Sequence, residues 1–469
     1  MKHKLKYILP SVVILAWIIC SVWTQHGGFL LYGEADLFLI DHNSQERSFL
    51  SKVLCPHRHD AENYMARELG HLVEHVDAVF IHWCVMNGVP HFMSITNYLF
   101  LGGAGLLFWF EAMRGGMNKI NALLLMGLFY SAPVVFMSGN YVRSGHAAAT
   151  FLALWLVVLL ARGETRWRYA FPITMTMVWV DRQGLFAAIS IWLVYFVLTR
   201  KDFNVLKAVP VIAAVCIHTF HYVFIGPWLI HHFTPFTDVV IPVNPLAVSG
   251  ANKGQSFMNF IHGWYIALSN LRFLCGSIPL MLAAFLAVKM AMLLKSRWWV
   301  VLATIGLISV MNAIILGAAK SLMWDDCLPS IYYHLIGTAI IWILVSISST
   351  RMVPNVATWI LVALVMTNIS MLPSHVRGWK SGHLQGFIAG APFIRQALLQ
   401  TTQRMYGTST ARYNTLESCQ FTGWNWIMKN PLEYGGRLSA QEFVESSQYL
   451  QFVRSEMHYP FGRGGRGNP

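Results

Sequence analysis

The chain reads as a series of long apolar runs separated by short polar turns. Windows of about 17–20 apolar residues, the length that crosses a bilayer as helix, fall near 7–24, 95–112, 121–138, 146–161, 168–180, 183–199, 208–226, 273–290, 298–318, 331–348 and 354–371. The run at 168–180 is the shortest. The pattern predicts an all-α, polytopic transmembrane bundle of about eleven spans. It divides into a first transmembrane helix (1–24), an external loop with amphipathic helices (25–94), the bundle (95–371) and an external tail (372–469).

The turns between these runs alternate in charge. Lys2, Lys4 and Lys6; Arg114 and Lys119; Arg162, Arg166 and Arg168; Arg200, Lys201 and Lys207; Lys289, Lys295 and Arg297; and Arg351 all fall on one side of the predicted bundle. Basic residues mark the cytoplasmic face, so the N-terminus is expected in the cytoplasm and the C-terminal tail outside, in an integral protein of a bacterial plasma membrane. The apolar run from Tyr7 to Trp23 follows MKHKLK and lacks a small-x-small cleavage site, so it reads as an uncleaved first helix rather than a signal peptide.

Composition agrees. Apolar residues make up 55% of the 469 positions and charged residues 12%, about half the charged share of a soluble domain. The net charge of +13 belongs mostly to orienting turns and forms no basic-aromatic stripe, so nucleic acid is not an expected partner. The seven cysteines contain no CxxC pair, and sequence does not pair them.

Acidic residues are placed unevenly. Of the 21, only Glu111, Glu164 and Asp202 lie at or near the cytoplasmic side, whereas Glu34, Asp36, Asp41, Glu46, Asp60, Glu62, Glu68, Glu74 and Asp77 crowd the first external loop. A carrier with short loops needs no such concentration, so any chemistry is expected to face outward. Within this loop, Ala61 to Phe80 predicts a helix with Met65, Leu69, Leu72, Val76 and Val79 on one stripe, a pattern suited to the membrane interface.

Glu34 and Asp36 stand out in HGGFLLYGEADLFLIDHN. Two apart on an extended segment, they point the same way. Transfer of a sugar to a hydroxyl needs a carboxylate to take the acceptor proton, and often a second to orient it or hold a divalent cation. On spacing alone the pair reads as solvated loop carboxylates; its apolar bracketing puts it at the membrane surface, where a lipid-linked substrate presents its head group.

With many spans, an N-in/C-out layout and acids soon after helix one, the chain resembles the C-type (GT-C) superfamily of polytopic glycosyltransferases. Gly33-Glu34-Ala35-Asp36 and DAENYMARELGHLVEHVDA are similar to the phage-type O-antigen glucosyltransferases within it. Where members commonly show adjacent acids or Asp-x-Asp, this chain has Glu34-x-Asp36, which leaves the base open among Glu34, Asp36, Asp41 and Asp60, with Asp36 preferred.

The resemblance implies a polyprenyl-phosphate sugar donor, a glycan or protein acceptor and an inverting transfer at the external face. The donor phosphate calls for cations, best Arg, and Arg143, Arg182, Lys253 and Arg272 lie at predicted external helix ends or loops, as does Lys320. Arg182 beside Asp181 reads equally as a phosphate ligand or as half of an ion pair capping a helix. His71 and His75, with His57, His59 and Asp60 of HRHD, are too loosely spaced for a metal motif. His218 and His221 read as satisfied core residues. Asp325-Asp326 reads as the cap of a following helix. A transporter is the main competing class, but mid-span charges are few and no internal repeat is evident. A polyprenyl-linked polymerase or ligase would place its basic residues in a late external loop, where 231–272 offers only Lys253 and Arg272.

Overall fold

The computed structural model describes residues 2–24, 42, 47–56, 60–61, 64–86, 94–139, 145–199, 204–236, 239, 241, 335, 339, 342, 346 and 354–381. Every described element is helical: α1 (Lys2–Thr24), α2 (Phe49–Leu54), α3 (Glu68–Met86), α4 (Ile95–Arg114), α5 (Lys119–Ser131), α6 (Pro133–Ser138), α7 (Gly145–Ala161), α8 (Trp167–Val180), α9 (Arg182–Leu198), α10 (Val209–Phe220), α11 (Gly226–Phe233) and α12 (Pro354–Ser381). A π-helical turn, His221–Ile225, joins α10 to α11.

Among the described residues two helical stretches are long and apolar enough to cross a membrane, Val209–Phe233 and Pro354–Pro373. Shorter apolar helices occupy Ile8–Val22, Lys119–Ser131, Gly145–Ala161 and Arg182–Phe196. The run expected at 121–138 is split. Pro133 has no N–H to continue α5 and instead opens the short α6. The runs at 273–290 and 298–318, the acids Asp325-Asp326 and the tail beyond 381 lie outside the described residues.

Among the described residues three apolar cores hold the helices, the smallest joining Leu54, Tyr64 and Ile230. The first joins α1, α4, α5, α6 and α12 through Trp17, Leu101, Trp109, Leu125, Phe129 and Leu361, with Trp342 donating to the Leu125 carbonyl at 2.7 Å. The second joins α7, α8 and α9 through Leu156, Met177, Ala188 and Trp192, whose indole N–H reaches Thr174 Oγ1 at 3.1 Å. Other large apolar side chains point outward in rows. On α1 these are Ile8, Val12, Leu15 and Ile19, and on α12 Val356, Trp359, Met366 and Ile369. Exposed apolar area on this scale needs a non-aqueous neighbour.

Contacts between helix ends sort the chain into two poles. Glu111 pairs with Arg162, joining the ends of α4 and α7, while Asn121 and Thr358 join the starts of α5 and α12 at 2.6 Å. The turns with Arg114, Lys119, Arg162 and Arg166 thus lie at one pole. At the other, the Tyr98 hydroxyl donates to Ser21 at 2.9 Å, and Asp77 accepts from the backbone N–H of Thr96 at 2.9 Å and from the hydroxyls of Thr96 and Ser94. Asp77, fully buried on α3, satisfies donors at the start of α4 that the helix itself leaves open.

The loop helix differs from the sequence expectation. It begins at Glu68, seven residues later than predicted, and runs on to Met86. Its polar residues Glu68, His71, Glu74 and Asp77 are buried, while Val76, Val79 and Trp83 stand exposed. The bundle ends beneath α3 offer hydrogen-bonding groups, so the polar face turns toward them; of the apolar stripe, Leu69 packs on the bundle and Val76 and Val79 turn away.

Candidate functional site

A buried polar network forms where the first-loop segment 60–77 meets the carboxylate-rich pole. Its scaffold is local. Ala66 takes a left-handed conformation (φ 47°) immediately before α3, a strained state for a non-glycine residue. The strain turns the Ala66 carbonyl onto α10, where His218 Nε2 donates to it at 3.2 Å. Gly70 lies directly against the Val180 carbonyl, leaving no room for a Cβ, which lets the start of α3 press onto the end of α8. Gly226, closing the π-helical turn, likewise makes space for the ring of Tyr64.

Three carboxylate–imidazole contacts define the network. Asp60 binds Arg67 at 2.7 Å, and its other oxygen lies 3.6 Å from His71 Nε2. His71 Nδ1 is 3.0 Å from the Val53 carbonyl. Burial holds His71 below its ordinary pKa, against the pull of Asp60, so it sits in the neutral form. Glu68 Oε1 is met by the Tyr64 hydroxyl at 2.5 Å and by His221 Nε2 at 2.9 Å. Burial works against ionising Glu68, but the bonds from His221 and Tyr64 outweigh it and lower its pKa. Burial and the Glu68 charge together raise that of Tyr64, which stays a hydroxyl donor.

Asp181 forms the third contact. It caps α9 by accepting from the Gln183 backbone N–H at 2.7 Å and stands 3.5 Å from His146 Nδ1 at the start of α7. Burial alone would raise its pKa, but His146 and the Gln183 N–H hold it at about 2. The Asp181–Arg182 ion pair, one of the two readings of this dipeptide, is not formed among the described residues. Arg182, the first residue of α9, is half-buried and makes no hydrogen bond or ion pair among the described residues, while its charge and that of Glu68 both reach His218. A guanidinium at a helix start, without a counter-ion, is suited to an anion.

The depressed Asp181 pKa gives a signed pH dependence. Stability from its charged form is complete above the unfolded value of 3.8 and is lost as pH falls through about 2, an effect on the order of 2 kcal/mol. Thermal unfolding in detergent from pH 5 to 2 should show the wild type losing this increment, whereas Asp181→Asn starts lower and lacks it. Parallel curves for the two proteins would contradict the assignment.

Of the residues expected from sequence, Arg182 and Asp60 belong to this region. Glu34, Asp36, Asp41, Arg143, Lys253, Arg272 and Lys320 lie outside the described residues, as do His57 and His59. His71 and His75 share α3 but serve different partners, for His75 Nδ1 faces His42 Nδ1 at 3.0 Å. Among the described residues no three His, Cys, Asp or Glu side chains converge as a metal site. Sequence reading passed over Arg67, the Tyr64–Glu68 pair and His146. It also passed over Arg47, which is buried on the carbonyls of Ser51, Cys55 and Pro56 with its guanidinium 5.1 Å above the Phe236 ring. The available signals were Tyr64-x3-Glu68 and His218-x2-His221, each spacing placing two polar groups on one helical face.

No family model, curated protein or solved structure matches this chain.

Proposed function

We propose that the chain is a polytopic membrane glycosyltransferase of the C-type kind, moving a sugar from a polyprenyl-phosphate donor to a glycan or protein acceptor at the external face of a bacterial plasma membrane. The reading takes about eleven spans, the basic pole in the cytoplasm and the carboxylate-rich pole outside. Asp36 is the base that accepts the acceptor's proton, with Glu34 orienting it or holding a divalent cation. Arg182 binds the donor phosphate, with Arg143, Lys253 and Arg272 as further cations, and Asp60 contributes from the loop through Arg67.

The observation that carries the reading is Arg182. A half-buried guanidinium with no carboxylate partner among the described residues opens α9, two residues after Val180, whose carbonyl meets the loop helix α3 at Gly70. That combination suits a substrate that brings its own negative charge. A proton-coupled transporter would instead set its ionisable pairs along the middle of the helices, whereas Asp60, Glu68 and Asp181 gather at one pole.

The test is transfer from a synthetic polyprenyl-phosphate hexose by purified protein in nanodiscs, scored as sugar gained by cell-surface glycan. Transfer above an empty-nanodisc control supports the reading. Its absence across the common hexose donors, together with uptake of a solute by proteoliposomes, would replace it with the transporter.

A further inference from the structure

Glu68 is bonded on one side only. Oε1 accepts from both Tyr64 and His221, whereas Oε2 is buried from solvent and has no hydrogen-bond partner among the described residues. An ionised carboxylate has about four acceptor positions, and leaving a buried one unfilled costs about 1–3 kcal/mol, more when charged. Here His221 and Tyr64 fix the carboxylate's orientation through Oε1 and leave the acceptor positions of Oε2 unfilled among the described residues.

The surroundings narrow the donor's chemistry. Trp179 stands edge-on to His221 with ring centroids 5.0 Å apart, and 6.2 Å from His218. It is half-buried, so part of its ring remains open. An aromatic ring beside an oriented carboxylate matches the two sides of a sugar, which shows C–H groups on one face and hydroxyl donors around its rim. Arg182, whose charge acts on the same His218 as that of Glu68, supplies the group a phosphate needs. A sugar phosphate carries both features in one molecule.

We propose that Glu68, oriented by His221 and Tyr64 and flanked by Trp179, forms a saccharide subsite in which Oε2 accepts a hydroxyl of the sugar being transferred. The assignment rests on the glycosyltransferase reading and adds to it the contact that selects the sugar. Glu68 binds and selects; the proton of the acceptor goes elsewhere.

The experiment uses full-length protein in nanodiscs with a polyprenyl-phosphate hexose and a set of donors each lacking one hydroxyl. In wild type, one deoxy donor should lose about tenfold or more in kcat/KM, mostly through KM. In Glu68→Gln the natural donor should lose a similar factor, and that same deoxy donor should lose little further, because the two changes remove one interaction. Trp179→Leu leaves the buried charge in place and should raise KM for every donor, so it tests the subsite even where Glu68→Gln fails to assemble. Parallel losses for all donors in Glu68→Gln, or unchanged KM in Trp179→Leu, would overturn the subsite while transfer by wild type keeps the broader reading. Failure of wild type to use any polyprenyl-phosphate sugar removes the reading, and the subsite falls with it.

Discussion

Arg182→Ala is expected to lower transfer about a hundredfold to a thousandfold, the cost of removing one preorganised charge from a group that becomes more negative in the transition state. As the sugar leaves, charge accumulates on the polyprenyl phosphate, and the guanidinium at the start of α9 lies where helix dipole and cation act together. Because Arg182 holds no partner among the described residues, its removal breaks no bond among them and the melting temperature should hardly move. That separates it from Arg67, whose loss would remove the 2.7 Å ion pair with Asp60 and lower the melting temperature. Arg182→Lys keeps the charge but loses the two-pronged geometry and should recover only part of the rate. Full activity in Arg182→Ala would take the residue out of the site.

Much of the helical layout follows from local properties and was legible before any tertiary contact was known. Eight described helices start or stop within a few residues of the apolar runs, because a break in hydrophobicity and a break in helix have common causes here. Asn118 caps α5, Asp181 caps α9, and Gly163 supplies the left-handed turn after α7. Even the short run at 168–180 holds as α8, since Ile173, Met177 and Val180 bury it between α7 and α9. The break at Pro133 was readable from the missing N–H but was hidden inside a continuous apolar run.

The site was less legible because its members come together only through the fold. His221 meets Glu68 across 153 positions, and His218 meets Ala66 across 152. Nothing in a local window distinguishes them from isolated polar residues in a span. The orientation of α3 shows the same limit. A hydrophobic stripe tells which residues share a face, but not whether that face meets the protein or its surroundings. Val76 and Val79 were grouped correctly and point away from the bundle, because Asp77 and Glu68 have donors waiting at the starts of α4 and on α10. Asp181 caps α9 through the Gln183 N–H rather than in a pair with Arg182, and its second partner, His146, lies 35 positions earlier, on another helix.

The largest loss is expected at the base. Asp36→Asn keeps the shape of the side chain and removes the proton acceptor, and general-base loss costs on the order of a hundredfold to ten-thousandfold in rate. In sequence the pair Glu34/Asp36 follows the end of α1 at Thr24 by about ten residues, a separation that, on the proposed topology, places it at the headgroup layer with the sugar of a polyprenyl-linked donor. Phe29, Leu30, Leu31, Leu37 and Phe38 surround it in sequence, and apolar neighbours raise a carboxyl pKa toward the range where a base works at neutral pH. The rate should therefore fall through kcat with donor KM little changed, the reverse of the pattern set for Glu68→Gln. Glu34→Gln should cost less, as an orienting group or a cation ligand, and added divalent cation should narrow its deficit only in the second case. Expression and membrane insertion provide the control. Near-wild-type transfer by both single variants and by the double variant would reduce the pair to ordinary loop carboxylates and move the search for the base to Asp41 and Asp60.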